Sequence, residues 1–260
     1  MTALPEIPAI STALFATIRV VVRDVLDGAG LAVLRGPVGI GKSFALRCVA
    51  SELENDGADV ILLTATGAVE GKTIEFCRAI HMREGVSAAD GLDLAWAQLK
   101  GHPFRDGGRR VVLLVDEAQE LKSPILAMLR GLWDYGEAAR LGDATQPAFG
   151  LVLIGNDQFL ANRSRKEKVD LLPLEDRITH NVRLPRPTRA EHAAFARALF
   201  PEDGEAGAKL RELVQAFGED QGSLRAAAKA ARQARLRAGK AGESVGPDHL
   251  AMAIRLMGGR

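Results

Sequence analysis

The chain has 260 residues, of which 47% are hydrophobic, 26% are charged and 5% are aromatic, and its formal net charge is +1. This composition is typical of a globular protein with one large domain or two, and the few aromatic residues argue against nucleic-acid binding by base stacking. No apolar stretch is long enough to cross a membrane, and the N-terminus lacks the pattern of a signal peptide. We therefore expect a cytoplasmic protein with no membrane partner.

The charges and cysteines add two further expectations. Residues 1–184 hold 21 Lys and Arg against 24 Asp and Glu, whereas residues 185–260 hold 13 against 9, so the C-terminal part is the more basic one. Cys48 and Cys77 lie in apolar helical patterns without metal-site spacing, and we expect both to be buried free thiols.

Apolar runs and helical patterns alternate along the first two thirds of the chain. The predicted helices and strands are, in order, helix 10–27, strand 31–35, helix 43–55, strand 59–64, helices 71–83 and 90–99, strand 111–115, helix 123–139, strand 149–154 and a short strand 182–184. Unbroken apolar strands separated by helices are typical of a parallel sheet covered on both faces.

The pattern changes at Pro185 and Pro187, after which no strand is predicted. Four helical patterns follow, at 189–199, 205–217, 223–238 and 247–256. The predicted fold class is α/β, with an N-terminal helix and linker over 1–30, a domain with a central parallel sheet over 31–184, and a small all-helical lid domain over 185–260. The charged segment 162–170 is predicted to be a mobile loop.

A glycine-rich loop lies between the first strand and the helix that follows it. Its residues are Gly36, Pro37, Val38, Gly39, Ile40, Gly41, Lys42 and Ser43, and Phe44 comes next. The helix N-terminus behind such a loop directs unpaired N–H groups at one point, where the phosphates of a nucleoside triphosphate fit. Lys42 would bind the β- and γ-phosphates, and Ser43 would be a Mg²⁺ ligand. All nine residues are predicted to bind the nucleotide.

Two further strands end in polar residues at the edge where ligands bind in parallel sheets. Asp116 and Glu117 follow strand 111–115; Asp116 would hold Mg²⁺ and Glu117 would activate the attacking water. The adjacent glutamate favours hydrolysis over transfer of the phosphoryl group to a second substrate. Asn156 follows strand 149–154, beside the acidic strand, and either senses the γ-phosphate or caps the next helix.

These motifs, in this order, resemble those of AAA+ ATPases, and in particular the transposition ATPases, namely phage Mu transposition protein B and its TniB and TnsC relatives. The resemblance rests on residues 111–121 (VVLLVDEAQEL), 150–156 (GLVLIGN), Asp176-Arg177-Ile178 and Gly222-Ser223-Leu224-Arg225. It implies an AAA+ sheet domain with a helical lid, and a slow, partner-stimulated ATPase that uses ATP and Mg²⁺. It also implies that the protein is located in the cytoplasm of a bacterial or phage-infected host cell.

The resemblance also assigns arginines to the site. Arg177 would be the finger that reaches the γ-phosphate of a neighbouring subunit, with Arg163, Arg165 and Arg183 as alternatives. Arg225 is either a sensor that contacts the γ-phosphate of its own subunit or one member of a basic helix. The ATP site is thus expected to be completed in a homo-oligomer.

The remaining expectations concern DNA and partners. The helix that starts near Gly222 is basic and has no acidic residue up to Lys240, so Lys229, Arg232 and Arg235 either contact phosphate backbones or form a solvated lid surface. The resemblance adds Lys72 and Thr73 as DNA contacts, with Arg109 and Arg110 as weaker candidates.

The function expected is an ATP-dependent regulator of transposition that forms filaments on double-stranded DNA and acts on a transposase. Because only 35 residues precede the glycine-rich loop, DNA binding is expected from the core or the lid. The alternatives are a switch ATPase of the ExeA type, acting on a protein partner, and an ATPase like the helicase loaders.

Overall fold

The computed structural model describes residues 9–65, 73–81, 88–99, 110–139, 149–160 and 172–258, which belong to two compact units. The sheet unit comprises Thr17–Gly36 and Ser43–Leu184. The lid unit comprises Met1–Ala16, Pro37–Lys42 and Pro185–Arg260. Residues Pro37–Lys42 of the glycine-rich loop are therefore grouped with the C-terminal helices.

Helices and strands alternate through the first part of the chain. The elements are α1 (Ala13–Gly28), β1 (Leu31–Arg35), α2 (Lys42–Asn55), β2 (Asp59–Thr64), α3 (Thr73–His81), α4 (Ala88–Leu99), β3 (Val111–Asp116), α5 (Ser123–Ala139), β4 (Gly150–Gly155) and β5 (His180–Arg183). α1 begins three residues later than predicted because the Thr12 hydroxyl accepts the N–H of Phe15 at 3.1 Å and so caps its first turn.

The strands form one sheet in the order β2-β3-β4-β1-β5, and every neighbouring pair is parallel. β3 and β4 are buried along their whole length, and β1 is buried except at Arg35, as the unbroken apolar runs predict. The predicted α/β class with a central parallel sheet is thus confirmed. β4 lies between β1 and β3, so the strand that ends before Asn156 separates the other two.

The fifth strand differs from its prediction. It covers His180–Arg183, whereas the apolar pattern placed it at 182–184. Among the described strands, β5 pairs with β1 alone, from Ala32 opposite His180 to Arg35 opposite Arg183. Its side chains alternate between exposed and partly buried. An edge strand of this kind tolerates polar residues, so an apolar run does not mark where it begins.

The lid unit contains four helices after the two prolines: α6 (Arg189–Leu199), α7 (Glu205–Gln221), α8 (Leu224–Ala241) and α9 (Pro247–Leu256). Their shared core includes Phe195, Phe200 and Leu250, and α8 contributes a face of buried alanines. α7 runs four residues beyond its prediction and ends at Gly222, whose φ of 57° closes the helix in the left-handed conformation.

Glu191 caps two segments of the lid unit. One carboxylate oxygen accepts the N–H of Thr188 at 2.6 Å, which completes a capping box at the start of α6. The other accepts the N–H of Ala13 at 2.6 Å, so the first turn of α1 is bound to α6. Ile10, just before α1, packs against the lid core.

The two cysteines have different surroundings. Cys77 is buried as predicted, and its sulfur lies 3.6 Å from that of Met128. Cys48 is only partly buried, so that prediction was wrong: its position on α2 leaves one side open. Burial raises the pKa of both thiols above the ordinary value.

Candidate nucleotide site

Three strands of the sheet unit end at one edge of the sheet, and predicted site residues stand at or directly after these ends along the chain. Because β1, β3 and β4 are parallel and adjacent in register, their C-terminal ends lie side by side. The glycine-rich loop follows β1, Asp116 ends β3, and Asn156 follows β4. This edge is where ligands bind in open α/β sheets.

The loop has the backbone that phosphate binding requires. Gly39 and Gly41 have φ of 85° and 106°, conformations that residues with a Cβ rarely adopt. α2 begins at Lys42, directly behind the loop, so its first N–H groups and the positive end of its dipole face the turn. Lys42 is only 7% exposed, and its ammonium donates to the Pro37 carbonyl at 2.8 Å.

The first turn of α8 contacts this loop within the lid unit. The Ser223 hydroxyl donates to the Gly39 carbonyl at 3.0 Å and also accepts the N–H of Ala226 at 3.2 Å, as the N-cap of α8. The N–H of Arg225 lies 3.4 Å from the same carbonyl of Gly39. Ser223 was not predicted to take part in the site; its position in the Gly-Ser-Leu-Arg stretch was the available signal.

The acidic pair occupies the end of β3. Asp116 is 4% exposed, and one of its carboxylate oxygens accepts the N–H of Glu117 at 2.9 Å. Glu117 has φ 53° and ψ 38°, so the chain turns sharply there and starts a short 3₁₀ helix, Ala118–Glu120. A non-glycine residue in this conformation is uncommon and recurs at functional sites.

Asn156 was expected either to sense the γ-phosphate or to cap the next helix. Its Oδ1 accepts the N–H of Gln158 at 2.9 Å and so caps the turn after β4. This bond fixes the amide group and leaves its Nδ2, a donor, free of any hydrogen bond to a described residue. Capping the turn and donating to a phosphate oxygen are therefore compatible.

The arginines proposed as fingers differ in their surroundings. Arg177 donates through Nε to the Asp134 carboxylate and through Nη1 to the Pro173 carbonyl at 2.7 Å, so its own subunit holds the guanidinium. Arg183, at the end of β5, is 76% exposed and lies 3.2 Å from Asp157. Arg163 and Arg165 lie outside the described residues.

The basic residues of the lid separate into two groups. Arg225, Lys229, Arg232 and Lys240 are exposed, and none has an ion-pair partner within the described ranges. At 3.6 residues per turn these four positions fall along one stripe of α8, which we call the lid stripe.

Arg235 has different surroundings from Lys229 and Arg232, with which it was expected to contact DNA. Its guanidinium donates to the Leu199 carbonyl at the end of α6 and lies 5.2 Å from the centre of the Phe200 ring. Burial lowers its pKa from the ordinary value, which reflects its position between helices. Two further DNA contacts were proposed near α3. Thr73, the first residue of α3, is exposed, and Lys72 lies outside the described residues.

The strand order, the loop behind β1 and the carboxylates after β3 define a P-loop nucleotide-binding protein with the AAA+ fold and a helical C-terminal part. A family model described as "AAA domain" matches residues 23–163, more than half of the chain, and the chain belongs to this family.

Solved structures share the fold over nearly the whole chain. The ORC2 protein of Aeropyrum pernix, solved in ADPNP–ADP complexes, matches with a TM-score of 0.68 and 19% identity, over 98% of this chain and 69% of that chain. The RuvB Holliday junction branch migration motor of Thermotoga maritima matches with a TM-score of 0.57 and 16% identity, over 94% and 68%. At these identities the likeness shows the fold alone.

A curated relative matches over a shorter stretch. General secretion pathway protein A of Aeromonas hydrophila is 30% identical over 106 residues, which are 40% of this chain and 19% of that protein. The matching region thus spans about a fifth of the relative's length. Within the described ranges, no helix has both the length and the apolar character needed to cross a bilayer.

Proposed function

We propose that the protein binds ATP with Mg²⁺ at the ends of β1, β3 and β4 and hydrolyses it. The residues fit such a ligand: a nearly buried lysine, two glycines in left-handed backbone and a helix N-terminus form an anion site at the loop. Asp116, whose carboxylate is nearly buried, and Ser43 would hold the metal. Bound Mg²⁺ would neutralise charge on the β- and γ-phosphates.

The observation that carries this proposal is the arrangement around Glu117. Its left-handed backbone and the bond from its N–H to Asp116 give the two carboxylates different surroundings, which supports different roles for them. Asp116 faces inward as the metal ligand, and Glu117, partly exposed, is the general base that orients and deprotonates water. Asn156 donates through Nδ2 to the γ-phosphate or to that water.

Hydrolysis in this proposal needs a second copy of the chain. Arg177 acts as the finger from the neighbouring subunit, since a guanidinium stays charged and stabilises the transition state. The bonds to Asp134 and to the Pro173 carbonyl use Nε and Nη1, so Nη2 is the donor proposed to meet the γ-phosphate. Arg225, exposed at the start of α8, is the proposed sensor on the subunit's own nucleotide.

The cellular role that we propose is ATP-dependent regulation of DNA transposition. The ATP-bound chain assembles on double-stranded DNA as a filament, acts on a transposase, and disassembles on hydrolysis. The lid stripe supports DNA binding because it presents exposed cations without ion-pair partners in the described part of the chain. The resemblance of the glycine-rich loop and the Asp116-Glu117 motif to those of the transposition ATPases supports filament assembly and action on a transposase.

A second candidate is a switch ATPase that acts on a protein partner without DNA. The identity shared with General secretion pathway protein A favours it. The two candidates differ in their response to DNA, because only the first predicts assembly on duplex DNA.

One experiment tests the chemistry and separates the two roles. ATP hydrolysis is measured with and without duplex DNA at low salt, and assemblies are imaged by negative-stain electron microscopy. ATP-dependent filaments on DNA support the first candidate; absence of DNA binding overturns it and leaves the protein-partner switch. Lys229→Ala/Arg232→Ala should weaken DNA binding, whereas Arg197→Ala/Lys209→Ala, a pair of exposed cations on α6 and α7, should not.

Two variants test the assigned chemistry. Lys42→Ala should lose ATP binding, and Glu117→Gln should bind ATP and assemble without hydrolysing it. Glu54→Gln, which changes an exposed glutamate on α2 in the same way, is the control and should hydrolyse ATP normally. Normal turnover by Glu117→Gln would show that the general base is another residue.

A further inference from the structure

Gln119 connects the end of β3 to the end of β4. It lies in the short 3₁₀ helix after Glu117 and is partly buried. Its side-chain Oε1 accepts the backbone N–H of Asn156 at 3.0 Å, and its Nε2 donates to the Glu117 carboxylate at 2.6 Å. One carboxamide therefore contacts the two residues to which hydrolysis and γ-phosphate sensing are assigned.

The orientation of this carboxamide is fixed by chemistry. The backbone N–H of Asn156 can only donate, so the oxygen of the amide must face it. The nitrogen then faces the carboxylates of Glu117 and, at 3.3 Å, Glu120. An ionised carboxylate can only accept, so the reversed amide would lose its hydrogen bonds at both ends.

The surrounding structure makes room for this side chain. A Cβ on Gly155, the last residue of β4, would lie 2.9 Å from Gln119 Oε1 and 3.0 Å from the Cβ of buried Phe159. The first contact is closer than packed atoms allow and the second is tight, so the absence of a side chain at Gly155 lets the amide reach the Asn156 N–H. The hydrogen bond between Gln119 and Asn156 thus depends on three segments: the turn after β3, the end of β4 and the turn that follows β4.

We infer that Gln119 is a positioning residue, which orients the Glu117 carboxylate and makes its placement depend on the end of β4. The inference rests on the proposed function, in which Glu117 is the general base. A charge-assisted bond from Nε2 restricts the carboxylate to one direction. A shift of Asn156 on binding the γ-phosphate would then move the base as well.

Two replacements of similar size test this role. Gln119→Met removes both hydrogen bonds, and Gln119→Glu keeps an acceptor for the Asn156 N–H but places a carboxylate against Glu117. Both variants should bind ATP with unchanged affinity and KM, while kcat falls about tenfold to hundredfold because the base is misplaced. Unchanged ATP affinity also shows that the variant is folded.

The split between kcat and KM distinguishes positioning from general support of the fold. A variant that only loosened the fold would lose ATP affinity as well as turnover, whereas a misplaced base lowers kcat alone. Gln98→Glu, the same change at an exposed position of α4, should alter neither kcat nor KM.

The outcomes separate this inference from the proposal beneath it. If wild-type protein hydrolyses ATP and Glu117→Gln does not, but both Gln119 variants keep full kcat, the positioning role is wrong and the proposed chemistry stands. A change in KM alone would also overturn the inference. If the wild-type protein does not hydrolyse ATP under any condition tested, both ideas fail together.

Discussion

Gly39 lies against the first turn of α8, and its replacement by alanine has a cost that can be worked out from the structure. A Cβ at this position would be 2.4 Å from the Ser223 hydroxyl oxygen and 3.2 Å from the Ser223 Cβ. The φ of 85° adds about 1–2 kcal/mol of backbone strain for an L-residue. Overpacking against the hydroxyl adds about 1–3 kcal/mol. We expect Gly39→Ala to destabilise the lid unit by the sum of these two effects.

A double-mutant cycle separates the strain from the clash. Ser223→Ala alone removes the N-cap of α8 and the bond to the Gly39 carbonyl, at a cost of about 1 kcal/mol each. In the double variant the hydroxyl that the new Cβ meets is gone. The double variant should therefore be more stable than the sum of the single effects by about 1–3 kcal/mol.

The measurement is urea unfolding followed by far-ultraviolet circular dichroism. Both tryptophans, Trp96 and Trp133, belong to the sheet unit, so their fluorescence does not report on the lid. Gly41→Ala is the matched control, since Gly41 has φ 106° and no atom within 4 Å of the added Cβ. It should show strain without coupling to Ser223→Ala. Additivity of the Gly39 and Ser223 effects within about 0.5 kcal/mol would refute the reasoning.

Three further predictions concern stability. Burial lowers the pKa of His192 from its ordinary value of 6.5, so the unfolded chain takes up a proton at this histidine before the folded chain does as pH falls. The wild-type protein should therefore lose stability as the pH falls below about 6.5. His192→Gln should show a weaker pH dependence of the unfolding free energy between about pH 5 and pH 8. Arg235→Met should cost about 1–2 kcal/mol because a carbonyl and an aromatic ring lose their partner, whereas Arg232→Met, on the exposed stripe, should change the unfolding free energy by under about 0.5 kcal/mol. Gly150→Ala should cost about 1–3 kcal/mol because its Cβ would lie 2.7 Å from a backbone oxygen, whereas Gly131→Ala, in open space on α5, should stabilise the helix by about 0.5–1 kcal/mol; equal effects in thermal unfolding would contradict this.

The sequence was sufficient for four of the five described strands because each of them contains an unbroken apolar run. Leu31–Arg35 and Asp59–Thr64 were predicted at their observed limits, and the strand before Glu117 was one residue short. β5 was misplaced because half of its positions are exposed and three of its four residues are polar. Local pattern therefore located the strands that contain an apolar run, including the partly buried β2, and failed at β5, which has none.

Charge alone was a poor guide on α8. Arg232 and Arg235 looked equivalent in a run of basic residues, yet one is exposed and the other lies between helices. The spacing of the buried alanines defines the inner face, and a helical projection places Arg235 at its margin. The carbonyl and ring that Arg235 contacts come from α6, and no local pattern could indicate them.

Gln119 was missed for a different reason. It was quoted as part of a motif, but its role depends on the left-handed backbone of Glu117 and on the end of a strand 37 positions away. Neither the turn conformation nor the partner is encoded in the nearby residues. Gln119 can contact Asn156 because β3 and β4 are neighbouring strands in the sheet.

The position of β4 between β1 and β3 sets the distance between the C-terminal ends of β1 and β3. Neighbouring strands lie about 4.8 Å apart, so the chain ends of β1 and β3 are separated by about 10 Å. A ligand anchored at the end of β1 must extend past the end of β4 before any part of it reaches the carboxylates. A single phosphate ion is too short for this, whereas a chain of phosphates with its metal is long enough. At the proposed nucleotide site, the middle strand would therefore select for ligands long enough to span the distance between β1 and β3.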